Sequence, residues 1–108
     1  VRATITDGGG VTAGASTSDP FTVPIGSTVV ATTSKQLADV RVWSVQSPDL
    51  YTVTVDVLSS AGTVIDSVNY TVGVRTISFD TKGLHLNGKS VKVRGFCDHS
   101  NFAGVGGA

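Results

Sequence analysis

Apolar and polar residues alternate with a period of two along most of the chain. In Tyr51-Thr52-Val53-Thr54-Val55-Asp56-Val57 the odd positions are apolar and the even ones are Thr, Thr and Asp. Side chains of a strand alternate across the pleat, so this run predicts a half-buried strand. A second run, Val64 to Val74, sets Val64, Val68, Tyr70, Val72 and Val74 on one side, with Asp66 as the exception. Ser59-Ser60-Ala61-Gly62 joins the two runs, and a short Gly-containing link of this kind predicts a hairpin. Upstream, Thr28 to Thr33 and Asp39 to Trp43 read as two further strands. Val1 to Thr6 and Phe21 to Val23 are weaker strands, interrupted by Gly8-Gly9-Gly10 and by Pro20 and Pro24. No window carries the i, i+3, i+4, i+7 spacing of an amphipathic helix. The dense β-branched residues are better accommodated on a pleated sheet.

Short strands at about ten-residue spacing, separated by Gly and Pro turns, point to an all-β fold, first of all an immunoglobulin-like β-sandwich. The inter-sheet disulfide of antibody domains is excluded, because Cys97 is the single cysteine. A boundary is expected near residue 80, giving a sandwich domain over 1–80 and a second segment over 81–108. Asp80-Thr81-Lys82-Gly83 reads as a turn, and Leu84-His85-Leu86 leads into Asn87-Gly88. Asn-Gly between apolar runs is a strong hairpin signal, since both residues tolerate the positive φ of a type I′ turn. Ser90 to Arg94 is the expected returning strand. Beyond Gly95 the chain changes to Phe96-Cys97-Asp98-His99-Ser100-Asn101-Phe102, a polar and aromatic cluster on an expected loop.

Composition narrows the chemistry. The 108 residues carry 8 Lys or Arg against 8 acidic residues, all Asp, with no Glu and no Met. Zero net charge argues against nucleic acid or an anionic membrane as partner, since both need a basic face. No run of about 18 apolar residues is present to span a bilayer, and no signal-peptide pattern is visible. Localisation is therefore open between cytoplasmic and secreted. The absent initiator Met and the closing run Phe102-Ala103-Gly104-Val105-Gly106-Gly107-Ala108 lead us to expect a piece of a longer polypeptide.

Candidate chemistry is sparse. Cys97 and His99 share a face if extended, but a Cys-His nucleophile also needs an orienting group and an oxyanion hole. The plainer reading is an inert thiol beside an unrelated His. Cys97, Asp98 and His99 make a weak metal set, because adjacent strand residues face opposite ways and structural zinc takes four ligands. Gly8-Gly9-Gly10 and Gly104-Val105-Gly106-Gly107 lack the following Lys-Ser or Lys-Thr of a phosphate loop and read as turns. Asn69-Tyr70-Thr71 is a formal N-glycosylation acceptor inside a predicted strand. Trp43 and Tyr51 are the expected core anchors, each with an N–H or O–H that needs a partner. Arg75 follows an apolar run, and its partner is expected to be Asp80, Asp56 or a carboxylate outside the chain; a plain surface Arg is the alternative. His85 reads as a surface or half-buried packing residue.

At Trp43-Ser44, with Pro48-Asp49-Leu50-Tyr51 after it, the sequence resembles the tryptophan–serine, proline, leucine–tyrosine element of family 2 glycoside hydrolases. Gly73-Val74-Arg75 resembles the family's glycine–any–arginine sequence. Leu86-Asn87-Gly88-Lys89 resembles its hairpin, and Val93-Arg94-Gly95 with His99 resembles the strand entering its catalytic barrel. The motifs fall in order over residues 43–99, about half of the chain. The resemblance implies an immunoglobulin-like sandwich followed by a β-hairpin and the first strand of a truncated (β/α)8 barrel. It implies a parent that hydrolyses β-galactosides or related β-glycosides with retention, and a segment whose role is structural. By the same resemblance His99 is a substrate-pocket residue, with Asp98 and Asn101 as weaker neighbours. Trp43, Tyr51, Arg75, Asn87 and Gly88 are structural, and Mg²⁺ or Na⁺ would be held by barrel residues outside this chain. Cys97-Asp98 departs from the commonest family pattern, so no particular sugar follows, although the loop through Gly106 leans toward galactosidases.

The family's catalytic pair is two Glu, and this chain has none, so the chain alone is expected to be inactive. Truncation would leave Val91, Val93 and Phe96 without barrel partners, and self-association is expected. A free-standing immunoglobulin-like binding or adhesion module is the alternative reading.

Overall fold

The computed structural model describes residues 1–95 and the backbone of two short strands at 101–102 and 106–107. Among these residues the chain is all-β, with no helix. It divides into two units, Val1–Arg75 and Thr76–Ala108.

The first unit is built on one antiparallel sheet of β1 (Arg2–Asp7), β2 (Thr12–Thr17), β3 (Tyr51–Leu58) and β4 (Val64–Val72), in the order β2-β1-β3-β4. The weak N-terminal run is thus a full strand, and β3 lies between β1 and β4. Gly8-Gly9-Gly10, read from the sequence as a turn, closes the β1–β2 hairpin. Asp7 makes that turn: its Oδ1 accepts from the N–H groups of Gly9 and Val11, both at 2.9 Å, and Gly10 takes φ 82°. Gly10 N–H donates to the Asp7 carbonyl, so the chain turns over Asp7 to Gly10 with glycine at the one position of positive φ. The Ser59–Gly62 link also turns as expected, with Gly62 N–H donating to the Ser59 carbonyl and Gly62 at φ 79°. A bulge between Val57 and Leu58 shifts the β3–β4 register at that end.

Register sorts the side chains into two faces. Directly opposed residues share a face, so Gly14, Ile5, Val53 and Tyr70 form one apolar row, and Ala3, Val55 and Val68 another. The opposite face is rich in Thr and carries the row Arg2, Asp56 and Ser67.

Residues 18–50 depart from expectation, because neither Thr28 to Thr33 nor Asp39 to Trp43 forms a ladder. Asp39 takes φ 52°, which interrupts an extended run. The Arg41 N–H goes to the Tyr51 hydroxyl and the Trp43 N–H to the Val74 carbonyl. The segment nevertheless lies against the sheet. Ser16 and Thr33 share a hydroxyl hydrogen bond, and a Cβ at Gly14 would stand 2.5 Å from Leu37 Cδ2. It covers the β2 and β1 side of the apolar face, while β4 stays exposed along its whole length.

The second unit holds the sheet β5 (Ile77–Asp80), β6 (Gly83–Leu86) and β7 (Lys89–Val91), in that order and antiparallel. Asn87 at φ 50° and Gly88 at φ 74° make the type I′ turn between β6 and β7. Residue 80, where a boundary was expected, is the last residue of β5 and pairs with Gly83. Phe79 and Val93 are 78% and 73% exposed, whereas Val91 is half-buried. Strands β8 (Asn101–Phe102) and β9 (Gly106–Gly107) pair with each other.

Candidate functional site

Of the three residues expected at a sugar pocket, the structure describes the backbone of one. Asp98 and His99 lie outside the described residues, as do Phe96 and Cys97, and of Asn101 only the backbone in β8 is described. Of the expected structural residues, Trp43, Tyr51 and Arg75 belong to one assembly in the first unit, whereas Asn87 and Gly88 form the β6–β7 turn of the second.

That assembly joins the Trp43-Ser44, Pro48–Tyr51 and Gly73–Arg75 motifs. Tyr51 is the most buried apolar side chain, at 4% exposure, and its hydroxyl accepts from Arg41 N–H at 3.0 Å. The Arg41 guanidinium reaches Asp7 Oδ2 at 3.1 Å and Asp49 Oδ1 at 3.4 Å. Residues 44–49 close a turn, in which Ser44 N–H donates to the Ser47 carbonyl and Ser47 N–H to Ser44 Oγ. The turn carries Trp43 to the end of β4. There Trp43 N–H donates to Val74 C=O at 2.8 Å, and the ring lies over Gly73. A Cβ on Gly73 would meet Trp43 Cγ and Cδ1 at 3.0 Å, so glycine permits the approach. Arg75 lies over the same indole, with its guanidinium carbon 4.8 Å from the ring centroid. The half-buried Trp43 thus meets both a backbone that needs no side chain and a cation.

Neither carboxylate proposed for Arg75 within the chain meets it. Asp56 is engaged by Arg2, whose guanidinium donates to Oδ2 at 2.7 and 3.2 Å, and by Ser67 Oγ, which donates to Oδ1 at 2.7 Å. Arg2 foremost, and Ser67 next, hold the Asp56 carboxyl below its ordinary value against the opposing effect of burial. The alternation puts Asp56 among the polar positions of β3, yet it is 7% exposed. Asp80 accepts from Lys82 N–H at 2.7 Å and pairs with His85 Nε2 at 3.0 Å. The His85 side chain is 18% exposed. In the β6–β7 turn, Asn87 Oδ1 accepts from Thr76 N–H at 3.0 Å, and Asn87 N–H donates to the Thr76 carbonyl.

The carboxylates of Asp7, Asp49, Asp56 and Asp80 are each engaged by Arg41, Arg2 or His85. A groove of about 460 Å³ in the first unit is lined by Val1, Phe21, Val23, Val57, Leu58 and Ile65, with Asp19 its one carboxylate. A retaining glycosidase needs two carboxyl groups about 5–5.5 Å apart across the scissile bond. Among the described residues, no three His, Cys or Asp side chains come together as metal ligands.

Comparison with known proteins gives the assembly its context. Residues 1–75 match the sequence profile of the glycosyl hydrolases family 2. A putative β-glucuronidase of Formosa agariphila is 37% identical over 92 residues, covering 74% of this chain and 9% of that protein. The β-galactosidase BgaC of Bifidobacterium adolescentis is 33% identical over 70 residues, covering 65% of this chain and 7% of that protein. The chain thus spans about a tenth of the length of the curated relatives it matches. A solved β-glucuronidase of Ruminococcus gnavus, in complex with D-glucuronic acid, shares the fold. Its TM-score is 0.65 at 23% identity, over 97% of this chain and 16% of that one. The matched region ends at Arg75, the residue that completes the stack on Trp43, and its extent over 1–75 shows that this chain belongs to the glycosyl hydrolases family 2.

Proposed function

We propose that the chain is the sandwich domain, with the lead into the catalytic domain, of a β-glycoside hydrolase that acts with retention. The whole protein would cleave a β-galactoside or a related β-glycoside, β-glucuronides included, since relatives carry both names. The observation that carries this reading is the interlocking of the family motifs around Trp43: Ser44, Asp49, Tyr51, Gly73, Val74 and Arg75 are each engaged in a hydrogen bond, an ion pair or a close packing contact. The segment is a support. Glycosidic cleavage belongs to a Glu pair that these 108 residues do not contain.

In this reading the β6–β7 hairpin leads into the first barrel strand at Val93-Arg94-Gly95. His99, with Asp98 and Asn101 beside it, reaches the rim of the sugar pocket and binds substrate without transferring a proton.

The test pairs the 108-residue chain with the longer polypeptide encoded with it, both assayed on chromogenic β-D-galactosides and β-D-glucuronides. Turnover by the longer protein and none by the chain is expected. A longer protein inert on every β-glycoside, or turnover by the chain that survives repurification, would sink the proposal. In the longer protein, His99→Ala should raise KM about tenfold with a smaller change in kcat; an unchanged KM removes His99 from the pocket.

A further inference from the structure

Strand β4 is the edge of its sheet, and all nine of its residues are exposed. Ladder parity decides which backbone groups face outward. Ser18 N–H donates to the Val1 carbonyl, so Val1 faces β2 and Arg2 faces β3. Arg2 opposes Asp56, which turns Val55 toward β4, and Val55 opposes Val68. In an antiparallel ladder the direction alternates residue by residue. Asp66, Val68, Tyr70 and Val72 therefore bond to β3, whereas Ser67, Asn69 and Thr71 present N–H and C=O groups to the free edge. The Ser67 N–H agrees, for it donates to the carboxylate of Asp66 at 2.8 Å.

The bulge opposite Val57 and Leu58 limits the regular edge to Asp66–Val72, whose midpoint is Asn69. A two-fold axis at Asn69 matches this stretch to itself in the antiparallel sense. Val68 then opposes Tyr70 of the second copy, an aromatic–β-branched pair of the kind that stabilises sheets, and Ser67 opposes Thr71, a hydroxyl pair. Asn69 opposes Asn69. The two Asp66 carboxylates fall at opposite ends of the ladder, each across from Val72, so no like charges meet. The free groups of Ser67, Asn69 and Thr71 supply about six interstrand hydrogen bonds. Val68 and Tyr70, 45% and 55% exposed, gain partners on the same face.

We propose that the β4 edge is a homodimerisation edge, pairing with a second copy of this chain about a two-fold axis at Asn69, with Asp66 opposing the contact by occupying the Ser67 N–H. This rests on the β4 edge and not on the glycosidase reading. It also differs from an association through Val91 and Val93, the expectation drawn from truncation.

Sedimentation equilibrium on the 108-residue chain should give a concentration-dependent dimer. Asn69→Pro removes the central donor on the edge side and leaves the β3 ladder bonds in place, so it should abolish the dimer with an unchanged β-sheet circular dichroism spectrum. Asp66→Ala should tighten association about two- to tenfold by freeing the Ser67 N–H. Val93→Lys should leave it unchanged. Register is read with cysteines in a Cys97→Ser background. Val68→Cys mixed with Tyr70→Cys should oxidise to a crosslinked heterodimer, because a non-hydrogen-bonded pair brings Cα atoms to about 4.5 Å, within disulfide range. Val68→Cys alone should crosslink far less. A monomer at all concentrations, a dimer abolished by Val93→Lys, or equal crosslinking of Val68→Cys alone and in the mixture would overturn the proposal.

Discussion

Strands β3 and β4 have nearly the same alternating pattern and opposite fates. β3 lies between two partners and holds Tyr51 and Asp56, at 4% and 7% exposure. β4 has one partner, and Val64, Ile65, Val68, Tyr70 and Val72 are 39–65% exposed. Periodicity records the pleat, and burial depends on what lies to either side and above. The segment carrying Leu37 and Tyr51's partner Arg41 packs over β2, β1 and the start of β3, and leaves the β4 flank bare. The two aspartates restate the difference. Asp56 is tied to Arg2 and Ser67 across three strands, while Asp66 turns back on the N–H of its own neighbour.

The sharpest way to break this comparison is to truncate one tyrosine on each strand. Tyr51→Ala should cost about 3–5 kcal/mol, the range for emptying a buried aromatic site. Tyr70→Ala, on the same face but 55% exposed, should cost under about 1 kcal/mol in the monomer. Denaturant titration of both variants below the concentration at which any dimer forms decides it. Equal losses would mean that β4 is covered as β3 is.

Gly73→Ala comes next, at the one end of β4 that something covers. The added methyl would lie 3.0–3.1 Å from Trp43 Cβ, Cγ and Cδ1. The ring cannot swing away freely, because the Trp43 backbone is bonded to Val74 and Arg75 caps the indole. Overpacking of this kind should cost about 1–3 kcal/mol, visible as a lower urea midpoint with an unchanged m value.

Asp56 sharpens the comparison through pH. Its folded carboxyl is held below the ordinary 3.8 by the Arg2 and Ser67 bonds. A depressed acid stabilises the fold above the unfolded value and loses that contribution as pH falls through the folded one. Stability of the native chain should therefore drop below about pH 4, and Asp56→Asn should show a shallower fall over the same window. Chemical denaturation from about pH 7 to about pH 2 measures both slopes, and parallel curves would remove Asp56 from the acid response.

Much of this architecture was legible because its signals are local. The β3 and β4 alternation, the Ser59–Gly62 link and the Asn87-Gly88 turn each depend on a few neighbouring residues, and each folds as the pattern requires. The order of the family motifs was legible for the same reason. Thr28 to Thr33 and Asp39 to Trp43 failed because a strand exists only with a partner, and the N–H groups of Arg41 and Trp43 are used elsewhere. For Arg75 the sequence leaves a carboxylate partner and a plain surface position both open, because pairing and exposure are each usual for a guanidinium. Its partner is an aromatic ring 32 residues upstream, across a glycine whose only visible role in the sequence was a motif match.

The smallest expected effect belongs to that stack. An exposed cation–π contact is worth about 0.5–1 kcal/mol, so Arg75→Ala should lower stability by that amount and leave the sheet intact. Arg75→Lys keeps the charge but loses the planar face that lies along an indole, and should recover only part of the loss. If both substitutions cost the same, charge contributes nothing and the contact is packing alone. If Lys restores stability fully, ring stacking contributes nothing. Tryptophan emission tracks the same ring directly, because Trp43 is the single Trp in the chain. An emission shift in Arg75→Ala, with none in Tyr70→Ala, would localise the effect to the end of β4 and separate it from the bare stretch of the strand before it.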